Sequence, residues 1–311
     1  MIKKEYWLSS SDKNSILHAA SWEPSEGVRL NGIIQIVHGV TEHILAYEEI
    51  AQKFVEKGYI VIGNDHLGHG TTDGPARMYF GGHGSWNYVV EDLLKIRKLI
   101  GEIYPDLKHI LIGISLGSFA VRNYLISYPN ETNGAILIGT GYTSKIENLI
   151  SKIIVWQQEL IYGDNARTPL INKLAFEVNN KKFSKEGSTY HWLFASKKAL
   201  NNYLKDPLSR EPITVGLFRE LLNGMIFTGK KSNIRKMNRE IPILIISGEE
   251  DPVGGFGRKV IKYVKVLKQE GFLWSDLLLY PQKRHQLLLD ENNEVVVEDI
   301  LDWVKYYVRE I

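Results

Sequence analysis

The chain has 311 residues, of which 44% are hydrophobic and 24% are charged, and its formal net charge is +2. This composition is typical of a globular protein with a sizeable core and excludes a largely disordered chain. Acidic and basic residues are interspersed, so the charge pattern does not favour nucleic acid as a partner. Because the chain has no cysteine, disulfides, thiol nucleophiles and thiolate metal sites are excluded.

The first residues, MIKKEYWLSSSDKNS, lack the apolar core of a signal peptide. No run of about 18 apolar residues, the length of a membrane span, follows them. We therefore expect a cytoplasmic protein without stable membrane insertion, of an oligomeric state that the sequence does not specify.

Strands and helices alternate over the first part of the chain. The first two predicted strands, KEYWLS and ILHAASWEP, form a hairpin across a polar turn. Apolar runs and helical spacing then predict, in chain order, strand 32–39, helix 46–57, strand 59–66, helix 86–104, strand 109–114, a helix after Ser115 and strand 134–141.

The alternation stops at Tyr142. Residues 142–239 have helical patterns and no convincing buried strand. The elements predicted after them are strand 242–251, helix 257–270, strand 276–281 and helix 295–308. Continuous apolar strands separated by helices predict an α/β fold, with a mostly parallel sheet that carries helices on both faces. We expect a core formed by 1–141 and 240–311 and a helical cap formed by 142–239.

Ser115 stands between Gly113 and Gly117, where the buried strand HILIGI turns into a helical pattern. Such a corner holds a non-glycine residue in a strained conformation, and the glycines allow strand and helix to pass closely. The free N–H groups at the helix N-terminus favour a developing negative charge. These features predict a nucleophilic serine, although a glycine-rich turn with an inert serine has the same pattern.

A nucleophilic serine needs a base and an acid, and an open α/β sheet places such groups at the carboxyl ends of its strands. Asp251 follows the strand ILIISG, and His285 follows the strand DLLLY. A neutral imidazole at His285 would take the serine proton, and the carboxylate would fix the imidazole tautomer. Glu250, directly before Asp251, is the alternative acid.

The negative charge of a tetrahedral intermediate needs preorganised N–H donors. One donor is expected from the backbone of Leu116, directly after the serine. The other is expected from the loop HGVTEH, 38–43, with the N–H of Val40 preferred. His38 and His43, which flank this loop, are expected to brace it rather than to react.

Five segments together resemble the monoglyceride lipase and lysophospholipase branch of the α/β-hydrolase fold, which is grouped with serine aminopeptidase-like hydrolases. They are HGVTEH (38–43), NDHLGHG (64–70), GISLGS (113–118), SGEEDPVGGFG (247–257) and YPQKRHQLLLDE (280–291). The resemblance implies Ser115 as nucleophile, Asp251 and His285 as its partners, and Val40 and Leu116 as the oxyanion hole. It also implies a mobile cap over an acyl-binding tunnel.

Other segments have less specific interpretations. Gln286 is a departure from the family pattern, because many relatives have a glutamate directly after the histidine. His66 and His69, with His83 nearby, could bind a metal, but their glycine-rich loop favours turn-stabilising hydrogen bonds. The segment GGFG, 254–257, is expected to be a plain loop and not a phosphate site. Four aromatic residues are expected to line an acyl pocket or to form the core of the cap: Trp156, Phe176, Trp192 and Phe194.

The sequence therefore predicts a serine carboxylic ester hydrolase that acts on a small acyl lipid, such as a monoacylglycerol or a lysophospholipid, without cofactor or metal. An acyl-enzyme intermediate would form on Ser115. One alternative is an amide hydrolase, in which Glu147, Glu159 or Glu177 would hold a substrate amine. Another is a catalytically silent protein that binds a ligand. Apolar, lysine-bearing cap helices would also allow transient contact with a membrane surface.

Overall fold

The computed structural model describes residues 1–308, so residues 309–311 of the predicted core segment lie outside the described part. Its strands are β1 Ile2–Ser9, β2 Ile16–Glu23, β3 Gly32–Val37, β4 Tyr59–Asn64, β5 His109–Ile114, β6 Gly134–Ile138, β7 Ile243–Gly248 and β8 Ser275–Tyr280. They form one eight-stranded sheet in the order β1-β2-β4-β3-β5-β6-β7-β8. β1 and β2 form the predicted antiparallel hairpin, β2 pairs antiparallel with β4, and the remaining neighbours are parallel.

Helices follow most of the strands, as the sequence predicts. They are α1 Glu48–Val55, α2 Trp86–Ile103, α3 Leu116–Ser127, α4 Lys145–Tyr162, α5 Pro169–Asn172, α6 Lys197–Lys205, α7 Val215–Gly229, α8 Lys231–Ile234, α9 Arg258–Gln269 and α10 Glu294–Tyr307. Short irregular helical segments precede α1 at Ile44–Tyr47 and follow α5 at Lys173–Glu177 and Asn179–Glu186. The predicted α/β class is confirmed, with boundaries that differ by a few residues at element ends.

The parallel strands are apolar on both sides because helices cover both faces of the sheet. Along β5, Ile110 and Ile112 face the cluster that contains Phe54 of α1 and residues of α10. Leu111 faces the opposite cluster, which contains Phe119 of α3 and residues of α2 and α9. This alternation is the two-residue period of a strand. Burial of each such side chain contributes about 1.5–3 kcal/mol to folding.

Residues 142–239 are called the helical insert below. They carry α4 to α8, and within residues 139–242 the structure has no strand of the sheet. α7 packs against α3 of the core and against α4. The buried Arg122 of α3 ties α7 to the residue directly before the insert, since its guanidinium donates to the carbonyls of Gly141 and Thr228 at 2.8 and 3.2 Å. No helix within residues 1–308 has the length and apolarity needed to cross a bilayer.

Candidate active site

Ser115 occupies the turn between β5 and α3 with φ +52° and ψ −114°. This conformation costs a non-glycine residue about 1–3 kcal/mol. A Cβ at Gly117 would overlap the carbonyl oxygen of Val37, and one at Gly113 would lie 2.5 Å from the carbonyl oxygen of Gly117. Only glycines therefore allow α3 to begin this close to β3 and β5. The N–H of Ser115 donates to the carbonyl of Ile138 over 2.8 Å, which anchors the turn on β6.

His285 and Asp251 form a buried pair with 2.9 Å between Nδ1 and Oδ1. Both side chains are fully buried. The N–H of Val253 donates to the same Oδ1 at 2.8 Å and orients the carboxylate. Because a carboxylate only accepts hydrogen bonds, the neutral imidazole carries its proton on Nδ1 and presents a lone pair at Nε2. This Nε2 is buried and has no hydrogen-bond partner within residues 1–308.

The imidazole of His285 lies against the end of β6, next to the serine turn. A Cβ at Gly139 would lie 2.8 Å from Cε1 of His285. The preceding residue, Ile138, accepts the hydrogen bond from the N–H of Ser115. The structure therefore brings the predicted base and the predicted nucleophile to adjacent residues of one strand end.

Glu250, the alternative acid, has other partners. Its carboxylate lies 3.2 Å from Nζ of Lys182 and 3.7 Å from Nε of Arg284. The geometry favours Asp251 as the partner of the imidazole.

The loop after β3 carries Val40, whose backbone N–H is one of the two predicted oxyanion donors. His38 accepts the N–H of His66 at Nε2 over 3.0 Å, so its proton is on Nδ1. Nδ1 then donates to the carbonyl of Gly39 over 2.7 Å. This carbonyl and the Val40 N–H belong to one trans peptide unit, so the bond fixes the direction of the N–H. Within residues 1–308 the Val40 N–H has no acceptor, and the N–H of Leu116 begins α3, where a helix leaves such groups free.

Three buried imidazoles form a cluster at this loop, with ring centroids 4.0 to 6.0 Å apart and the rings tilted or edge-to-face: those of His38, His66 and His69. Burial lowers the pKa of His66 to about 3 and that of His69 to about 4, and it lowers the pKa of His38 well below its usual value. The cluster is therefore neutral at pH 7. His83 is exposed and pairs with Glu159. Within residues 1–308 no three side chains of metal-binding type converge on one point.

A buried polar bridge was missed from the sequence; it joins the loop 38–43 to residues 281–293, which are called the histidine loop below. The side-chain amide of Gln286 donates to Oε1 of Glu42. Oε2 of Glu42 accepts from the hydroxyl of Tyr47 at 2.6 Å and from the N–H of Gly39 at 2.9 Å. Burial raises the pKa of Glu42, and three donors compensate for the lost hydration. The sequence marked this bridge only by Gln286, which stands where many relatives have a glutamate. The amide of Gln286 donates a hydrogen bond to Glu42, whereas a glutamate at position 286 would place two carboxyl groups next to each other.

The helical insert makes a second unpredicted contact with the site. The ring of Trp192 lies 4.8 Å from that of His285, centroid to centroid, and its carbonyl accepts the N–H of His285 at 3.4 Å. The carbonyl of Leu193 accepts the N–H of Gln286 at 2.7 Å. Arg284 donates to two further carbonyls of this segment at 2.8 and 3.1 Å. The insert is therefore fastened to the loop that carries the imidazole.

The aromatic residues expected in the cap interior have different environments. Phe176, Trp192 and Phe194 are buried, whereas Trp156 is 64% exposed. The expectation is wrong for Trp156, because it lies on the face of α4 that no other element covers within the described residues. The segment GGFG is a loop that leads into α9, as expected.

A groove of about 780 Å³ opens beside the site, between α1, α6 and residues 288–294. Its walls include Glu42 and Tyr203, but Ser115, Asp251 and His285 do not line it. Most of the side chains in its walls are charged or polar, including Glu48, Asp290 and Glu294, so it does not suit an acyl chain. The predicted chemistry lies outside this groove.

A mostly parallel sheet, a strained serine at a strand-to-helix turn and a buried Asp–His pair at the same edge define an α/β-hydrolase. The family model described as serine aminopeptidase, S33, matches residues 29–292. The chain belongs to this family and is a serine hydrolase.

Individual relatives agree with this assignment. The chain is 23% identical to the monoacylglycerol lipase of Mycolicibacterium smegmatis, over 91% of this chain and 90% of that protein. It is 25% identical to the caffeoylshikimate esterase of Arabidopsis thaliana, over 99% of this chain and 90% of that protein. A carboxyl esterase from Bacillus coagulans, solved in complex with glycerol, has the same fold, with a TM-score of 0.89, 24% identity and 99% coverage of both chains.

Proposed function

We propose that the protein hydrolyses carboxylic esters of small acyl lipids, of the monoacylglycerol or lysophospholipid type, through a Ser115–His285–Asp251 triad. The observation that carries the proposal is the buried Asp251–His285 pair, whose free Nε2 lies beside the strained serine turn. No other group of residues 1–308 occupies this Nε2, so its lone pair is available to accept a hydrogen bond from the Ser115 hydroxyl, a bond that often becomes short only when substrate binds.

The chemistry follows from these positions. His285 Nε2 takes the hydroxyl proton as Ser115 attacks the ester carbonyl, and Asp251 stabilises the imidazolium that forms. The N–H groups of Val40 and Leu116 receive the oxyanion of the tetrahedral intermediate. The imidazolium then protonates the departing alcohol, which leaves an acyl-enzyme on Ser115. Water that transfers its proton to His285 releases the carboxylic acid and restores the serine.

Two kinds of observation support a lipid ester as the substrate. Two relatives reported above are named as a monoacylglycerol lipase and as an esterase, and the first name points to a lipid ester. The buried aromatic side chain of Trp192, in the insert, packs against the imidazole. We therefore assign residues 142–239 the role of a cap that shapes the acyl site, on a core formed by the rest of the chain.

Two of the three glutamates considered for an amide hydrolase have cationic partners within the protein. Glu147 pairs with Lys259 at 2.9 Å, and Glu159 pairs with Arg219 at 2.6 Å, so neither carboxylate is free to hold a substrate amine. Glu177 is exposed. Proteins of the silent type usually lose a member of the triad, and the presence of Ser115, Asp251 and His285 in the sequence favours an active enzyme.

The outer face of α4 supports transient contact with a lipid surface. Its apolar side chains recur at helical spacing and are between 54% and 71% exposed: Ile146, Leu149, Ile150, Ile153, Trp156 and Leu160. An exposed apolar stripe of this length is typical of helices that lie in a membrane interface. Location in the cytoplasm remains a prediction from the sequence.

Labelling with a fluorophosphonate and a chain-length series of p-nitrophenyl esters, from acetate to palmitate, test the proposal. We expect the label on the peptide that contains Ser115 and the highest kcat/KM for medium or long acyl chains. Ser115→Ala should lower kcat by about 10⁶-fold. Ser127→Ala is the matched control, since this exposed serine ends the same helix. Activity on p-nitrophenyl acetate and on no longer ester would refute the lipid substrate. Absence of fluorophosphonate labelling would refute the mechanism.

A further inference from the structure

The helical insert also contacts the loop that carries Val40. The hydroxyl of Tyr203, on α6, lies 2.7 Å from Oγ1 of Thr41, and this Oγ1 lies 2.6 Å from the carbonyl oxygen of Val40. Because a carbonyl only accepts, the Thr41 hydroxyl donates to Val40 and the Tyr203 hydroxyl donates to Thr41. Two consecutive hydrogen bonds therefore connect the insert to the peptide that follows Val40.

Thr41 needs this support because its backbone is strained. Its φ is +60°, a rare conformation for a β-branched residue. Such a conformation persists only where surrounding contacts over-determine it. Thr41 and Tyr203 are buried, so water does not replace their hydrogen bond.

The same part of the insert contacts the loop at two further points. Nε2 of His43 lies 2.7 Å from Oδ2 of Asp206, directly after α6. The N–H of Arg210 donates to the carbonyl of Thr41 over 3.3 Å. Residues 203–210 therefore hold the loop on both sides of Glu42, which itself reaches Gln286 of the histidine loop.

We propose that Tyr203 is a positioning residue of the oxyanion hole, because its hydroxyl holds Thr41 and the Val40–Thr41 peptide and thereby restrains Val40, whose N–H belongs to the preceding peptide. His38 fixes this peptide from the core side, through the Gly39 carbonyl, and Tyr203 fixes its other neighbour from the insert. The inference rests on the proposed function, since it requires the Val40 N–H to receive the oxyanion. It makes the insert part of the catalytic geometry and not only a cover.

Tyr203→Phe removes the hydroxyl and keeps the ring, which packs 5.5 Å from that of Phe194. Complete loss of an oxyanion donor costs about 10²–10³-fold in kcat, and a donor that loses one of its supports should cost less. We expect kcat to fall about tenfold with KM within about twofold, and the Ki of a trifluoromethyl ketone to rise by about the same tenfold factor. Thr41→Val should have the same effect, and the double variant should be no worse than either single variant.

Tyr190→Phe is the matched control. Its ring packs 5.6 Å from that of Tyr203, and its hydroxyl has no hydrogen bond to the loop within residues 1–308, so we expect unchanged kinetics. Thr41→Ser keeps the hydroxyl and should keep kcat. If Tyr203→Phe does not fold, the comparison of Thr41→Val with Thr41→Ser decides.

Three outcomes would overturn the inference. In the first, Tyr203→Phe has the kcat and Ki of the wild type. In the second, the losses of the two single variants add in the double variant. In the third, Thr41→Val and Thr41→Ser are equally active. A wild type that hydrolyses no ester would refute the proposed function and this inference with it, whereas an active wild type with an unaffected Tyr203→Phe refutes the inference alone.

Discussion

Trp156 and Trp192 belong to the same helical insert and have opposite environments. Trp156 is 64% exposed on α4, whereas Trp192 is 3% exposed and packs on the imidazole of His285. Only Val155 and Gln158 of α4 are buried. The segment that contains Trp192 is fastened by backbone hydrogen bonds to the histidine loop. Whether each ring is buried is therefore decided by the backbone hydrogen bonds of its segment, and not by how many apolar residues are near it in the sequence.

The same contrast occurs among ionisable groups. Adjacent carboxylates of Glu250 and Asp251 contact a surface cation and the buried imidazole, respectively. His69 is fully buried, whereas His83 is largely exposed. In each of the three pairs the buried side chain provides a variant, and the more exposed one, of the same chemical kind, provides its control. The expected effects are largest for the carboxylates, smaller for the tryptophans and smallest for the histidines.

The carboxylates should differ most. Asp251→Asn should lower kcat by about 10⁴-fold, because an amide at this position favours the wrong imidazole tautomer. Glu250→Gln should keep kcat within about threefold, since an exposed ion pair contributes at most about 1 kcal/mol. Steady-state kinetics on a p-nitrophenyl ester measures both variants. A larger loss in Glu250→Gln would make Glu250 the acid and refute the assignment of Asp251.

The tryptophans should differ in stability. Trp192→Ala leaves a cavity against the imidazole and should lower the free energy of unfolding by about 3–5 kcal/mol. Trp156→Ala should change it by less than about 0.5 kcal/mol and should keep the hydrolysis of soluble esters. Urea unfolding measures the first effect. Trp156→Ala should co-sediment more weakly than the wild type with phosphatidylcholine–phosphatidylglycerol vesicles. Unchanged co-sedimentation would contradict the proposal that α4 contacts a membrane surface.

The histidines should differ in acid stability. The folded pKa of His69, about 4, lies below the unfolded value of about 6.5, so the unfolded chain binds more protons as the pH falls below 6.5. Stability is therefore complete above pH 6.5 and falls towards pH 4, by about 1.4 kcal/mol per pH unit for this group. In His69→Gln the slope of unfolding free energy between pH 6 and 5 should decrease by about this amount. His83→Gln changes an exposed side chain and should alter the free energy of unfolding at pH 7 by less than about 0.5 kcal/mol. Equal slopes in the wild type and His69→Gln would contradict the explanation.

The core and its catalytic edge could be predicted because their signals are local. An apolar run followed by helical spacing identifies β5 and α3, and a serine between two glycines marks the turn between them. Asp251 and His285 were found because parallel strands end at one edge, so position after a strand implies proximity. Their order along the chain required no knowledge of side-chain contacts.

Two hydrogen-bonded bridges at the site were not predicted, because they join residues far apart in the chain, and the sequence marked only one of their four residues, Gln286, as unusual. The Glu42–Gln286 pair and the Thr41–Tyr203 pair are separated by 244 and 162 positions. The sequence does not show whether a polar side chain faces water or a buried hydrogen-bond partner, and the hydrophobic period of an element does not distinguish the two cases.

By itself the sequence determined the fold class, the strand-to-helix turn at Ser115 and the positions of the candidate acid and base, since backbone conformation and hydrophobic period are set by neighbours in the chain. Tertiary structure alone decided which carboxylate meets the imidazole, which tryptophan is buried, and that Tyr203 of the insert holds the loop of the core. Those outcomes depend on hydrogen bonds between distant segments. Each such bond stabilises the protein only after folding has removed water from both partners, because water otherwise competes for the same donors and acceptors.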